Sequence, residues 1–122
     1  MDRIFKNYEV LRFGRRIEVW LEYDEYDAFH SLAAFLYFKP AIMNEPIYDV
    51  TDSEWMPSGL ELFAAITINL PESAHLPYGT QFVDVNNYPW IDEWLIENSI
   101  ATPTGIIAKS GFCIYPAFKF GL

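Results

Sequence analysis

The sequence predicts an α+β protein, a mainly antiparallel twisted sheet with one principal helix, in the C-terminal half, packed on it. Two observations carry that expectation. Apolar and polar residues alternate with period two through residues 15–23 and again through 60–70, the pattern of antiparallel strands with one buried face. A single stripe at helical spacing, Trp90, Ile91, Trp94 and Leu95, marks the helix.

The first element is a hairpin. Residues 3–12 run into Phe13-Gly14 and residues 15–23 run out, with Ile17, Val19, Leu21 and Tyr23 forming an apolar face against Glu18, Trp20, Glu22 and Asp24. Gly14 supplies a turn conformation that a Cβ would penalise. Asp24-Glu25-Tyr26-Asp27 reads as a charged turn. Residues 29–38 are continuously apolar, so period alone does not separate strand from buried helix. The order of neighbouring elements favours a strand.

Residues 39–59 form an irregular acidic and aromatic insertion, in which Pro40, Pro46 and Pro57 each withhold a backbone donor. Tyr48, Asp49, Asp52, Glu54, Trp55 and Met56 lie here, either docked on the sheet or turned to a partner. Residues 60–70 then alternate, with Leu62, Ala64, Ile66 and Ile68 expected inward and Glu61, Thr67 and Asn69 outward. Residues 81–85 read as a short strand. The helix is expected over about 88–98, capped by Asn86 or Asn87, with Pro89 in its first turn and Asp92 and Glu93 near its positive end. Thr102-Pro103-Thr104-Gly105 breaks it. Two last strands, near 105–109 and 112–120, flank a Ser110-Gly111 turn, and Pro116 suggests an edge or a bulge.

The 122 residues are expected to form one domain, residues 1–122, and an aromatic share of 18% supplies ample surface for a core. Cys113 is the only cysteine, so no internal disulfide forms and a multi-cysteine metal site is excluded. The N-terminus has no secretory apolar run, and the longest apolar stretch, 29–38, is too short to cross a bilayer. A cytoplasmic protein is expected.

Net charge is −9, and its distribution is uneven: residues 1–16 carry +3, residues 17–108 carry −14 and residues 109–122 carry +2. Such a field repels nucleic acid and anionic membrane and attracts a basic protein surface. Plain solubility is the competing explanation.

Catalytic signals are weak. His30 sits in the apolar run and reads as a core group, and His75 as a loop residue. Cys113 alternates with Ile114 in a strand, which favours packing over a Cys–His nucleophilic pair. Asp24, Glu25 and Asp27, and likewise Asp49, Asp52 and Glu54, lack the glycine-centred spacing of a calcium loop. A carboxylate pair for hydrolysis has no specificity among seventeen acids. No cofactor, metal or catalytic residue is therefore assigned. Asp84-Val85-Asn86-Asn87-Tyr88-Pro89-Trp90 is the densest polar motif; it either presents Asp84 and the amides of a helix N-terminus to a ligand or is structural, and the structural reading is favoured, with Asn86 and Asn87 capping the helix and Asp84 bonding loop amides.

Thr67-Ile68-Asn69-Leu70, Asp84-Val85-Asn86-Asn87, Trp94-Leu95-Ile96-Glu97-Asn98, Pro103-Thr104-Gly105 and Ser110-Gly111-Phe112-Cys113-Ile114-Tyr115-Pro116 together resemble a family of small bacterial domains of unknown function. The resemblance covers about residues 60–118. It implies a setting on plasmids, phages and other mobile elements, and carries no activity or catalytic residue over.

The expected function is a non-enzymatic acidic protein, monomer or homodimer, that binds a basic protein surface, such as that of a nucleic-acid-binding defence protein. Direct contact with nucleic acid or membrane is not expected. Glu18, Glu22, Asp24, Glu25 and Asp27 would form one acidic face, joined by Tyr48, Asp49, Asp52, Glu54 and Trp55 of the insertion. The alternative is a small hydrolase using a carboxylate pair or Cys113 with a histidine.

Overall fold

The computed structural model describes residues 5–39 and 59–122. The first sheet begins with the hairpin of β1 (Phe5–Arg12) and β2 (Arg15–Glu25), in register from Arg12↔Arg15 to Phe5↔Glu22. Phe13 and Gly14 both take left-handed φ, 54° and 68°. Consecutive left-handed residues match the twist of the flanking strands, which is what a two-residue hairpin turn requires.

β3 (Leu32–Phe38) pairs antiparallel with β2, setting Ala34 opposite Tyr23 and Leu36 opposite Leu21. The apolar run is thus a strand, beginning at Leu32 once the turn before it has closed. β4 (Glu61–Ala65) completes the order β1-β2-β3-β4, with a register shift between Leu36 and Tyr37.

Residues 60–70 are not one strand. Ile66 still donates its N–H to the Ala34 carbonyl (3.1 Å), yet its own carbonyl accepts from Asp84 N–H (2.9 Å) in the second sheet. β5 (Thr67–Ile68) then pairs, among the described residues, only with β6 (Thr80–Val83). Expected parity fails at two points: Ala64 and Ile66 are buried, but the register shift between Leu36 and Tyr37 turns Leu62 outward, and the change of sheet buries Thr67. The Thr67 hydroxyl accepts from Ala34 N–H (3.1 Å) and meets the Tyr26 hydroxyl (2.9 Å), tying the corner to β3.

The second sheet has the order β5-β6-β8-β7, all antiparallel, with β7 (Ala101–Ser110) and β8 (Cys113–Phe120) joined at Gly111-Phe112. β7 starts earlier than expected, because Pro103–Ile107 is absorbed as a register shift within the strand. Pro116 lies in an inner strand but opposite that shift and one residue beyond the β6 pairing, which ends at Ala117. Its missing N–H therefore withdraws nothing from the β6–β8 ladder.

The helix, α1 (Ile91–Glu97), is shorter than expected and has no side-chain N-cap. Asn86 and Asn87 do not cap it because a separate turn precedes it. Asp84 organises that turn, accepting from Asn87 N–H (3.2 Å) and Asn87 Nδ2 (2.8 Å). At the other end Ser99 is left-handed (φ 55°), and Ile100 and Ser99 N–H donate to the Leu95 and Ile96 carbonyls. This is a Schellman closure made without glycine.

The main core lies between the sheets and the helix: Val19, Leu21, Tyr23 and Leu36 meet Val83, Phe118 and Phe120, with Ile91, Trp94 and Leu95 from α1. A second cluster, Leu70, Phe82, Ala108, Tyr115 and Ala117, occupies the other face of the second sheet. A short 3-10 helix (Pro71–His75) follows Leu70 beside it.

Candidate functional site

The structure distributes the expected acidic residues unevenly. Glu18, Asp24, Glu25 and Asp27 are exposed. The Asn7 side-chain amide donates to Glu18 Oε1 (3.1 Å), and Asp24 Oδ1 accepts from Glu25 N–H (2.8 Å). Glu22 does not belong to this face, being only 4% exposed and accepting from the Tyr37 hydroxyl (3.1 Å). The middle of β2 is covered on both sides, since Trp20 and Ala33, on the Glu22 side, are buried as well. Alternation locates a face but does not say whether that face meets water. Tyr48, Asp49, Asp52, Glu54 and Trp55 lie outside the described residues.

The acidic end of β2 leads into a turn that is firmly pinned. Tyr26 N–H donates to the Ser31 carbonyl (2.8 Å), Asn69 Nδ2 to the Ala28 carbonyl (3.2 Å), and Ser31 Oγ to Asn69 Oδ1. Within it Phe29 and His30 both take left-handed φ, 67° and 50°, a conformation that costs non-glycine residues about 1–2 kcal/mol each. The neighbouring network offsets that cost. Gln81, fully buried, donates to the Leu32 carbonyl (3.0 Å) and accepts from Ser73 Oγ (2.8 Å) and Phe82 N–H (2.8 Å). Gln81 was not legible as a central residue, because a glutamine in a short strand reads as its solvent side.

His30 is not a core residue. Its side chain is solvent-exposed, with Nδ1 3.8 Å from Glu25 Oε2, because the turn carries it outward before β3 begins. A cavity of about 120 Å³ opens here, lined among others by Glu25, His30, Ser31, Ser73, Tyr78 and Thr80. His75 is exposed on the 3-10 helix, and Cys113 is half-buried against the second cluster. Among the described residues no group of three or more His, Cys, Asp or Glu is arranged to hold a metal ion. No helix among them is long and apolar enough to cross a membrane.

A second concavity, about 400 Å³, runs between β1 and α1. Glu9, Glu93 and Glu97 border it, and Trp90 and Trp94 lie in its wall. The Trp94 indole N–H donates to the Glu9 carbonyl (2.8 Å), fastening the helix to the edge strand.

Two antiparallel sheets, one short helix and a surface of exposed carboxylates beside aromatic groups define an acidic α+β protein. The family model for a domain of unknown function, DUF4313, matches residues 44–122. The chain belongs to that family. The match contains β4–β8 and α1, and takes in the residues 60–118 on which the resemblance rests. No curated protein and no solved structure matches the chain.

Proposed function

We propose that the protein is a non-enzymatic acidic binding protein that docks on a basic protein surface. In the mobile-element setting that the resemblance implies, the partner is a bacterial defence protein, of the kind that anti-CRISPR or anti-restriction inhibitors act on, whose nucleic-acid-binding surface it occupies in the cytoplasm. One observation carries this reading: the end of β2 and the pinned turn after it hold Asp24, Glu25 and Asp27 in solvent beside Phe29, which is 53% exposed. A surface already held in place loses little conformational freedom on docking. The carboxylates supply attraction and register, and the aromatic group supplies contact area.

The test is partner capture from bacterial lysate, followed by binding measurements at low and high salt. Affinity should fall as salt rises, because exposed charges more than about 8–10 Å apart are screened near physiological ionic strength. Neutralising Glu18, Asp24, Glu25 and Asp27 together should remove much of that dependence with the fold intact. Glu22 is left unchanged because it is buried. Affinity that does not vary with salt refutes the mechanism. Cys113→Ser and His75→Ala should each retain binding, and loss of activity in a folded variant of either would turn the reading toward an enzyme.

A further inference from the structure

The second sheet ends in an open edge. β7 borders β8 on one side, and among the described residues no strand borders it on the other. The two-residue turn at Gly111-Phe112 makes Ser110↔Cys113 a pair that exchanges backbone hydrogen bonds. Alternation back along β7 then aims the backbone groups of Ala108 at β8 and those of Lys109 and Ile107 away from it. The same rule puts the Glu9 carbonyl on the outer side of β1, where the Trp94 indole N–H meets it. No described group meets the row on β7 in that way.

The face beside this row is apolar. Ile107 stands opposite Pro116 and Lys109 opposite Ile114, so these four side chains share one face of the sheet. Further along β8 the same face buries Phe118 and Phe120 in the main core, yet here Ile114 is 51% and Ile107 65% exposed. Phe112, at the tip, is fully exposed. Unpaired backbone groups flanked by exposed apolar side chains form a template for another strand.

Charge and symmetry identify that strand. A chain of net charge −9 repels its own copies, and residues 98–122 are its longest stretch without Asp or Glu, carrying only Lys109 and Lys119. Two copies therefore meet with least repulsion there. Antiparallel pairing of β7 with itself about a two-fold axis at Ala108 sets Ile107 opposite Lys109 of the second copy, and the reverse. The outward backbone groups then bond reciprocally, and the two ammonium groups are not opposed. Upstream, the register shift between Pro103 and Ile107 ends the straight edge. Thr104 Oγ1 holds that shift, donating to the Ala117 carbonyl (2.7 Å) and accepting from Ile106 N–H (3.1 Å).

We infer that two copies of the chain associate through the β7 edge over residues 106–110, joining their second sheets into one, with Ile107 and Ile114 of each copy packed beside the seam. The acidic turn is tied to β5, at the opposite edge of that sheet, through Tyr26 and Thr67, so it stays free in each copy.

Sedimentation equilibrium on the whole chain, over a wide range of concentration, should give a mass that rises from the 14.2 kDa of one chain to twice that and no further. Hydrogen exchange at the Ile107 and Lys109 amides should slow as the dimer forms. Ile107→Lys, at an exposed position, should keep the spectrum of the folded protein and weaken dimerisation about tenfold or more. Leu11→Lys, also at an exposed apolar position but on the first hairpin, should leave the mass unchanged. A single-chain mass at every concentration overturns the inference, as does a mass that climbs past two chains. A dimer that Ile107→Lys does not weaken, or whose formation leaves the two amides unprotected, overturns it as well, because the contact then lies elsewhere. The acidic-surface reading is tested apart from these results, by the salt dependence of partner binding.

Discussion

Replacing Gln81 by methionine should destabilise the protein far more than its place in a four-residue strand suggests. The change keeps side-chain length but removes the acceptor used by Phe82 N–H and Ser73 Oγ and the donor used by the Leu32 carbonyl. A buried polar group left without a partner costs about 1–3 kcal/mol. Ser73 Oγ still accepts from Leu70 N–H (3.0 Å), and methionine returns some apolar burial, so the net loss should be near 3 kcal/mol. For a chain of this size that corresponds to a fall in Tm of roughly 10–15 °C. Urea unfolding followed by circular dichroism gives the free energy directly, and Ser73→Ala, which disturbs fewer of these bonds, should cost about 1 kcal/mol. A Gln81→Met loss below about 1 kcal/mol, with unchanged m, would mean that Gln81 does not couple β3 to β6.

Trp94→Ala should cost about 4 kcal/mol, since it opens a cavity in the main core and removes the bond to the Glu9 carbonyl, whereas exposed Glu93→Ala should cost under about 0.5 kcal/mol. Equal losses in denaturant unfolding would show that α1 is not packed on its tryptophan side. Burial, with a smaller contribution from Tyr8, pushes the Tyr23 phenol from 10.0 up to about 12. Because the folded value is the higher one, the stability that neutral Tyr23 contributes is complete below pH 10 and is lost as pH rises toward 12. Ultraviolet titration should show a late-ionising tyrosine in step with alkaline unfolding, and full ionisation of all tyrosines near pH 10 in a folded protein would contradict the burial.

The parts of the fold that local chemistry specifies were legible in the residues. Phe13-Gly14 between two alternating runs gives the hairpin, and the Trp90, Ile91, Trp94, Leu95 stripe gives the buried face of α1. Features set by long-range pairing were not. Ile66 hydrogen-bonds into both sheets, and nothing in its neighbours distinguishes that corner from continued alternation. The end of α1 was obscured because Ser99 takes the left-handed position usually marked by glycine. Asp84 bonds a loop amide as its motif suggests, but the start of the helix was obscured because the turn that Asp84 arranges separates Asn86 and Asn87 from it, so neither caps it. On the candidate surface, composition located Asp24, Glu25 and Asp27 correctly in solvent but misassigned Glu22 and His30. Burial depends on what packs over a face, and period two carries no information about that.

The family match begins at residue 44, yet the structural unit does not divide there. Among the described residues, β4, within the match, hydrogen-bonds as a strand only to β3, which precedes it. The corner depends on β3 too, through Ala34, whose backbone bonds both the Ile66 N–H and the Thr67 hydroxyl. In the main core Ile91, Trp94, Leu95 and Phe120 from the matched span share a cluster with Val10, Val19, Leu21 and Leu36 from outside it. Tyr23 meets Phe120 edge to face across that division, at 6.0 Å. Stripped of β1–β3, the matched segment would expose one side of that cluster and lose the strand that β4 pairs with, each Å² of apolar surface so exposed costing about 25 cal/mol. β1–β3 therefore supply one side of the shared core and the strand that pairs with β4. The end of β2 and the turn that follows it also supply Asp24, Glu25, Asp27 and Phe29, so in this chain the surface proposed for recognition depends on sequence that the family match does not cover.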